Sequence, residues 1–282
     1  MEKVRKGFSD KNIVFVGGTG RSGTWAMQYA LAAHPQIFGF PRESWVFAGW
    51  GGIARLSDAF ASDSTVPRRN QAKRALVDYL NERCGHLKNE HPDLIPRAQN
   101  LIDNITNVTY RERLLDFTLD FFQPYWGRKA DQKYVAEKTP RMLLDMHKMW
   151  HITPNAKFVH IKRDPRDVLA SWVEASWNKN KGDIVQTCRV VDETLCEWYR
   201  VKKETERNPN YLEVKLEDAI ESPRAVMWVV EDFLDIGRHN WPDETFTTKK
   251  VNNTWQTSKH RAFIERRMRE HVINMGYNDG QN

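Results

Sequence analysis

Short apolar runs alternate along this chain with segments of helical spacing, and the alternation predicts most of its architecture. Ile13 to Val16 is a continuous apolar run that ends in Gly17-Gly18, the pattern of a buried strand entering a tight turn. Good helix formers follow from Ser22 to Ala33, with no Pro or Gly after Gly23, until His34-Pro35 stops the pattern. The same order recurs. Tyr134 to Ala136 precedes a helix over Arg141 to Trp150, Lys157 to Ile161 precedes a helix from Pro165, and Tyr211 to Leu216 precedes a helix over Pro223 to Leu234. Strands alternating with helices predict an α/β fold, a central parallel sheet flanked by helices on both faces. Val185, Cys188, Val191, Leu195 and Trp198 recur every three or four residues and predict one further amphipathic helix.

Between Trp45 and Asp131 the alternation breaks. Helical stretches around Gln71 to Glu82 and Thr109 to Phe122 are separated by turn-rich segments such as Asn89 to Pro96. This pattern predicts a helical insertion over about residues 45–131 that covers the sheet's edge, within a single domain spanning 1–282. No internal repeat or low-complexity tract interrupts it.

Composition narrows the class. Hydrophobic residues make up 40% and charged residues 28% of 282, an ordinary globular mix that excludes collagen-like, disordered and mucin-like chains. The longest purely apolar run, Ala225 to Val230, falls far short of the roughly 18 residues of a membrane span. Met1 to Lys6 is charged and no apolar stretch of signal-peptide length follows. The three cysteines, Cys84, Cys188 and Cys196, are odd in number and lack metal-ligand spacing. Together these features predict a cytoplasmic protein with no disulfide framework and no metal site. A net charge of +6 favours anionic partners without choosing among them, and its densest cluster, Arg266-Arg267 with Arg269, reads as the solvated face of a helix.

Two segments carry chemistry. The first, Gly17-Gly18-Thr19-Gly20-Arg21-Ser22-Gly23-Thr24-Trp25, joins a predicted strand to a predicted helix. Small residues there let backbone N–H groups converge on an anion, and the helix N-terminus adds partial positive charge. Gly18 and Gly23 have the spacing of an ATP- or GTP-binding loop, yet Thr24 and Trp25 stand where that loop places Lys and a magnesium-binding hydroxyl. The loop therefore suits a phosphate-like group handled without Mg²⁺, with Arg21 offering a planar fork of donors. The second segment runs from Lys157 to Ser171. Asp164 reads as an N-cap, Pro165 as the first helical residue and Asp167 as a capping-box partner, while Arg163 and Ser171 can face the carboxyl edge of the sheet.

With both segments in this order, the chain resembles the sulfotransferases that use 3′-phosphoadenosine 5′-phosphosulfate (PAPS), nearest to the carbohydrate and protein-tyrosine branch and its bacterial relatives. The first loop resembles that family's 5′-phosphosulfate loop, and Arg163 with Ser171 resembles its 3′-phosphate site. Arg42-Glu43-Ser44 after His34-Pro35 is similar to the region carrying a catalytic Glu. Glu137-Lys138-Thr139-Pro140 is similar to a segment that supplies a Lys, and Lys249-Lys250-Val251-Asn252 to a late segment that closes on the nucleotide. The resemblance implies a P-loop-like three-layer fold, PAPS as co-substrate without metal, and a hydroxyl-bearing acceptor as partner rather than a nucleic acid. Gly20, Arg21, Ser22, Gly23, Thr24, Trp25, Arg163, Ser171, Lys249 and Lys250 are then the nucleotide-binding residues. Glu43 becomes the general base, and Arg21 and Lys138 the cations that stabilise the leaving phosphate.

The chain departs from the family in several places. Many relatives have Lys at the position of Arg21 and Tyr at that of Leu216, no His-base motif is found, and Gly237 to Trp241 is not a Gly-rich closing motif. From the residues alone Glu43 could equally be a surface carboxylate paired with Arg42, and Lys138 a cap on the next helix. Trp25, Trp45 and Trp50, among eleven tryptophans, flank the expected acceptor side and lean towards a ring-bearing acceptor. Two other functions fit the sequence: a Mg-NTP-dependent kinase with a degenerate loop, or a binder of nucleotide or nucleic acid without chemistry.

Overall fold

The computed structural model describes residues 7–61, 64–176, 178–246 and 253–278. Among these, five strands form one parallel sheet: β1 (Ile13–Gly17), β2 (Ile37–Gly39), β3 (Tyr134–Lys138), β4 (Lys157–Lys162) and β5 (Tyr211–Lys215), in the order β2-β3-β1-β4-β5. The helices between Thr24 and Phe122 are α1 (Thr24–Ala33), α2 (Ile53–Ala61), α3 (Val66–Arg83), α4 (Leu94–Asn104) and α5 (Tyr110–Phe122). After β3 come α6 (Met142–Met149), α7 (Pro165–Val173), α8 (Ile184–Glu206), α9 (Leu216–Glu221), α10 (Pro223–Leu234) and α11 (Arg261–Asn274). The expected α/β architecture is therefore present, with β1 at the centre of the sheet and helices on both faces.

Strand alternation divides the core in two. Val14, Val16, Ala136, Val159 and Ile161 point to one face, where Met27 and Leu31 of α1 and Met227, Val230 and Leu234 of α10 cover them. Ile13, Phe15, Val135 and Phe158 point to the other, which α2 to α6 cover. The insertion thus covers a face of the sheet and not merely its edge. Its reach is set by Phe15 on the central strand, whose ring lies 5.6 Å from that of Phe47 and 6.1 Å from that of Phe122, centre to centre. A face bearing Phe15 and Phe158 must be buried, and the hydrophobic effect draws the insertion over it.

Other expectations shift by small amounts. β2, only three residues long, follows the His34-Pro35 break and completes the sheet beside β3. Within the segment expected to be turns, α4 begins at Leu94 and holds Pro96 in its first turn, where a missing N–H does no harm. Cys188, Val191, Leu195 and Trp198 are buried on α8, whereas Val185, in its first turn, faces solvent. Arg266, Arg267 and Arg269 are exposed on α11. Among the described residues no helix is long and apolar enough to cross a membrane.

The packing of the insertion against β1 can be measured. Phe15→Ala is expected to cost about 3–5 kcal/mol in urea unfolding, whereas Val108→Ala, at a site 93% exposed, changes stability by less than about 0.5 kcal/mol. A loss at Phe15 no larger than that at Val108 would contradict the arrangement.

Candidate active site

β1 delivers the chain into the glycine loop, and close packing explains its composition. The Gly18 amide donates to the Pro140 carbonyl at 3.0 Å, tying the loop to the β3–α6 connection. A Cβ on Gly18 would lie 2.4 Å from both the Ile161 carbonyl oxygen and Ser22 Oγ, so a side chain is excluded there. Arg21 (φ 72°) and Gly23 (φ 100°) take left-handed conformations, which turn the backbone sharply into α1. The first-turn amides of α1 have no intrahelical acceptor, and Gly23 provides no side-chain cap. Thr19 Oγ1 and Ser22 Oγ are buried with no hydrogen-bond partner among the described residues. Hydroxyls and amides gathered at a helix N-terminus offer a set of donors suited to an anion.

Arg163 follows β4 and is 5% exposed. Burial pushes its pKa down, while the nearby Asp167 and Glu217 carboxylates pull it up. Its Nη1 donates to the Arg21 carbonyl at 3.1 Å, and Arg21 Nε in turn donates to Ser171 Oγ at 3.0 Å. The two segments picked out in the sequence are thus bonded directly to one another. Asp164 caps α7 as expected, accepting from the Arg166 amide at 2.8 Å. Asp167 is not its capping-box partner. The Asp164 amide donates instead to Glu217 Oε1 at 2.9 Å, and Asp167 accepts from the Asn253 and Trp255 amides and the Thr254 hydroxyl. A distant carboxylate takes the local bond, freeing Asp167 to anchor the segment before α11.

β3 ends in Glu137 and Lys138, which strand alternation sends to opposite sides. Glu137 is fully buried and accepts from the Ser44 amide (3.1 Å), the Ser44 hydroxyl (2.8 Å) and the Thr139 hydroxyl (2.7 Å). Burial raises its pKa against those hydrogen bonds. Holding Ser44 positions Glu43, whose Oε1 lies 2.5 Å from Lys138 Nζ. Glu43 therefore pairs with Lys138 rather than with Arg42. Lys138 is wholly buried, and its ammonium sits 3.4 Å from the centre of the Trp25 ring. Burial pushes the Lys138 pKa down, and Glu43 pulls it back up. Trp45, next in the chain, adopts φ 58°, a left-handed conformation that costs a bulky residue on the order of 1–3 kcal/mol.

These groups meet around a cavity of about 840 Å³. Of the expected residues, Gly20, Arg21, Gly23, Thr24, Trp25, Glu43, Arg163 and Ser171 line it, while Ser22 is buried in the loop and Lys138 behind Glu43 and Trp25. Lys249 and Lys250 lie outside the described residues. Trp45 also lines the cavity; Trp50 packs on Tyr79, their ring centres 5.0 Å apart, and is not part of the lining. Arg83, Arg141, Leu144, Trp172, Val190 and Thr194 also line the cavity, although no motif marks them in the sequence. Arg141 could have been found as the residue following the Glu137 to Pro140 run; Arg83 ends a surface helix and carried no signal.

A model of the sulfotransferase family matches residues 13–243. Among solved structures, sulfotransferase STF9 from Mycobacterium avium is 10% identical, over 98% of this chain and 79% of its own, with a TM-score of 0.54. The sulfotransferase domain from the curacin biosynthetic pathway is 14% identical, over 95% of this chain and 98% of its own, with a TM-score of 0.51. At such identities these two likenesses are of fold. No curated protein sequence matches the chain.

The seating of the loop on Leu216 gives a prediction. Alanine at Gly23 would hold φ at 100° and place its Cβ 2.8 Å from Leu216 Cδ1. Gly23→Ala is therefore expected to cost about 1–3 kcal/mol in chemical unfolding. Leu216→Ala relieves the clash, so the double variant should lose at least about 0.5 kcal/mol less than the sum of the single losses. Strict additivity would show that the loop does not rest on Leu216.

Proposed function

The chain belongs to the sulfotransferase family and is an enzyme of that activity; from this premise we propose that it transfers a sulfuryl group from PAPS to an acceptor hydroxyl, without metal, as one domain over residues 1–282. The observation that carries this reading is the bonded chain Arg163–Arg21–Ser171, which joins the glycine loop directly to the segment after β4 at one cavity. The residues fit a donor phosphorylated at both ends. The amides of Gly20 to Thr24 and the orphaned hydroxyls of Thr19 and Ser22 suit its 5′ group, and Arg163 with Ser171 its 3′-phosphate. Thr24 and Trp25, in place of a phosphate-binding Lys and a magnesium-binding hydroxyl, favour this donor over a Mg-NTP.

Bound PAPS supplies an activated sulfuryl group whose leaving group is a phosphate. The chain's own part is to orient the acceptor, take its proton and stabilise the departing charge. Glu43, held in place through the Glu137–Ser44 bonds, accepts the hydroxyl proton as the new oxygen–sulfur bond forms. Protonation cancels the charge on Glu43 and weakens its pairing with Lys138. That buried ammonium then turns to the negative charge growing on the phosphate oxygen, where Arg21 also acts. In-line displacement needs little else, because positioning and electrostatics are the larger part of such transfers. Carbohydrates, tyrosyl peptides and small metabolites are the candidate acceptors, and the indoles of Trp25 and Trp45 suit one that carries a ring.

The test is incubation with sulfur-labelled PAPS, in EDTA, against a panel of glycans, tyrosyl peptides and phenols. Label is expected in one acceptor class, and Glu43→Gln should slow its transfer by about 10²–10⁴-fold while retaining affinity for the product nucleotide PAP. A requirement for Mg²⁺, or a native rate in Glu43→Gln, would contradict the proposal.

A further inference from the structure

The cavity is asymmetric in a way that bears on the acceptor. In the sheet order β2-β3-β1-β4-β5, Arg21, Arg163 and Ser171 gather where β1 and β4 end, whereas Glu43, Trp45 and Arg141 lie on the β3 side. Trp45, Arg83, Arg141 and Leu144 line the cavity together with Glu43. Four arginines line the cavity, and Glu43 is the single carboxylate among its described lining residues. The donor accounts for Arg21 and Arg163. Resting on the transfer reading above, we propose that the acceptor is itself an anion, a ring-bearing hydroxyl compound with a carboxylate or similar group, selected by Arg83 and Arg141.

Neither arginine is committed to a strong internal partner. Arg83 Nε is 3.5 Å from the carboxylate of its chain neighbour Glu82, with side chains 49% and 59% exposed. Arg141 is 3.6 Å from Glu197, at 44% and 43% exposure. Pairs so long and so wet contribute at most about 1 kcal/mol, so a ligand carboxylate can replace either partner at little cost. Both arginines line the same cavity as Glu43 and Trp45. Trp45, which lines the cavity with them, has its ring centre 5.8 Å from the Arg83 guanidinium carbon. The left-handed backbone that presents this indole is held although it is strained, as at sites where position serves function. An acceptor with its ring on Trp45 and a negative group at the arginines would hold its hydroxyl towards Glu43.

The test uses native protein saturated with PAP, so that no transfer occurs, titrated with p-nitrophenyl β-D-glucuronide and p-nitrophenyl β-D-glucoside. The two probes share the aryl and sugar rings and the C2 to C4 hydroxyls and differ at C6, where the carboxylate of the glucuronide replaces the hydroxymethyl group of the glucoside. The glucuronide should bind about tenfold more tightly, with a preference that shrinks as salt rises. The Arg83→Gln/Arg141→Gln double variant should lose the preference while its PAP affinity, which reports intact folding, persists. Equal affinities, failure of both probes to bind, or a preference surviving in the double variant would overturn the proposal. Label transfer without any preference sinks this inference alone. A preference without label transfer from PAPS to any acceptor sinks the transfer reading instead.

Discussion

A buried cation must find partners, and the way Arg163 does so organises the site. Nearly inaccessible at the end of β4, it donates to the backbone carbonyl of Arg21, whose own guanidinium reaches Ser171 on α7. One residue of the glycine loop thus bonds to both Arg163 and Ser171, by its backbone carbonyl to the first and by its side chain to the second. The left-handed backbone at Arg21 sends the two in different directions. These bonds hold the glycine loop against Arg163 and Ser171 without a ligand, so the proposed nucleotide would meet a preformed site at a lower ordering cost.

The proposed reacting centre, Glu43 with Lys138, follows from a different constraint, the two-residue period of a strand. Glu137 and Lys138 are consecutive and both wholly buried, yet they serve opposite sides of β3. Glu137 holds Ser44 on one side; on the other, Lys138 meets the residue just before Ser44, which is Glu43. A single dipeptide therefore both supports the carboxylate and supplies its counter-charge. Removing one member of a buried pair strands the other in a medium that solvates it poorly, so the Glu43–Lys138 pair and its cover by the Trp25 indole stand or fall together.

What could be read from the sequence was local. Apolar runs located β1, β3, β4 and β5, and helical spacing located the helices that follow them. β2 escaped because three residues are too few to show a period. The insertion was placed at the sheet's edge because nothing near Phe47 or Phe122 reveals that their partner is Phe15, a long way back along the chain. Asp167 had the right spacing for a capping box and lost that role to Glu217, which arrives from the β5–α9 junction. At the site, the glycine loop and the Arg163–Ser171 pair were legible from residue type, spacing and family resemblance together. Arg83 was not, since an arginine in the last turn of a helix is ordinary for reasons of the helix dipole.

The proposed site depends on Arg163 holding the 3′-phosphate of a nucleotide whose 5′ end lies in the glycine loop. Calorimetric titration of native protein and Arg163→Ala with PAP and with 5′-AMP tests it most directly. Charge-assisted hydrogen bonds of this kind are worth about 1.5–3 kcal/mol, so PAP should bind the variant about 10–100-fold more weakly while 5′-AMP binds nearly as before. Equal losses for the two nucleotides would contradict the account.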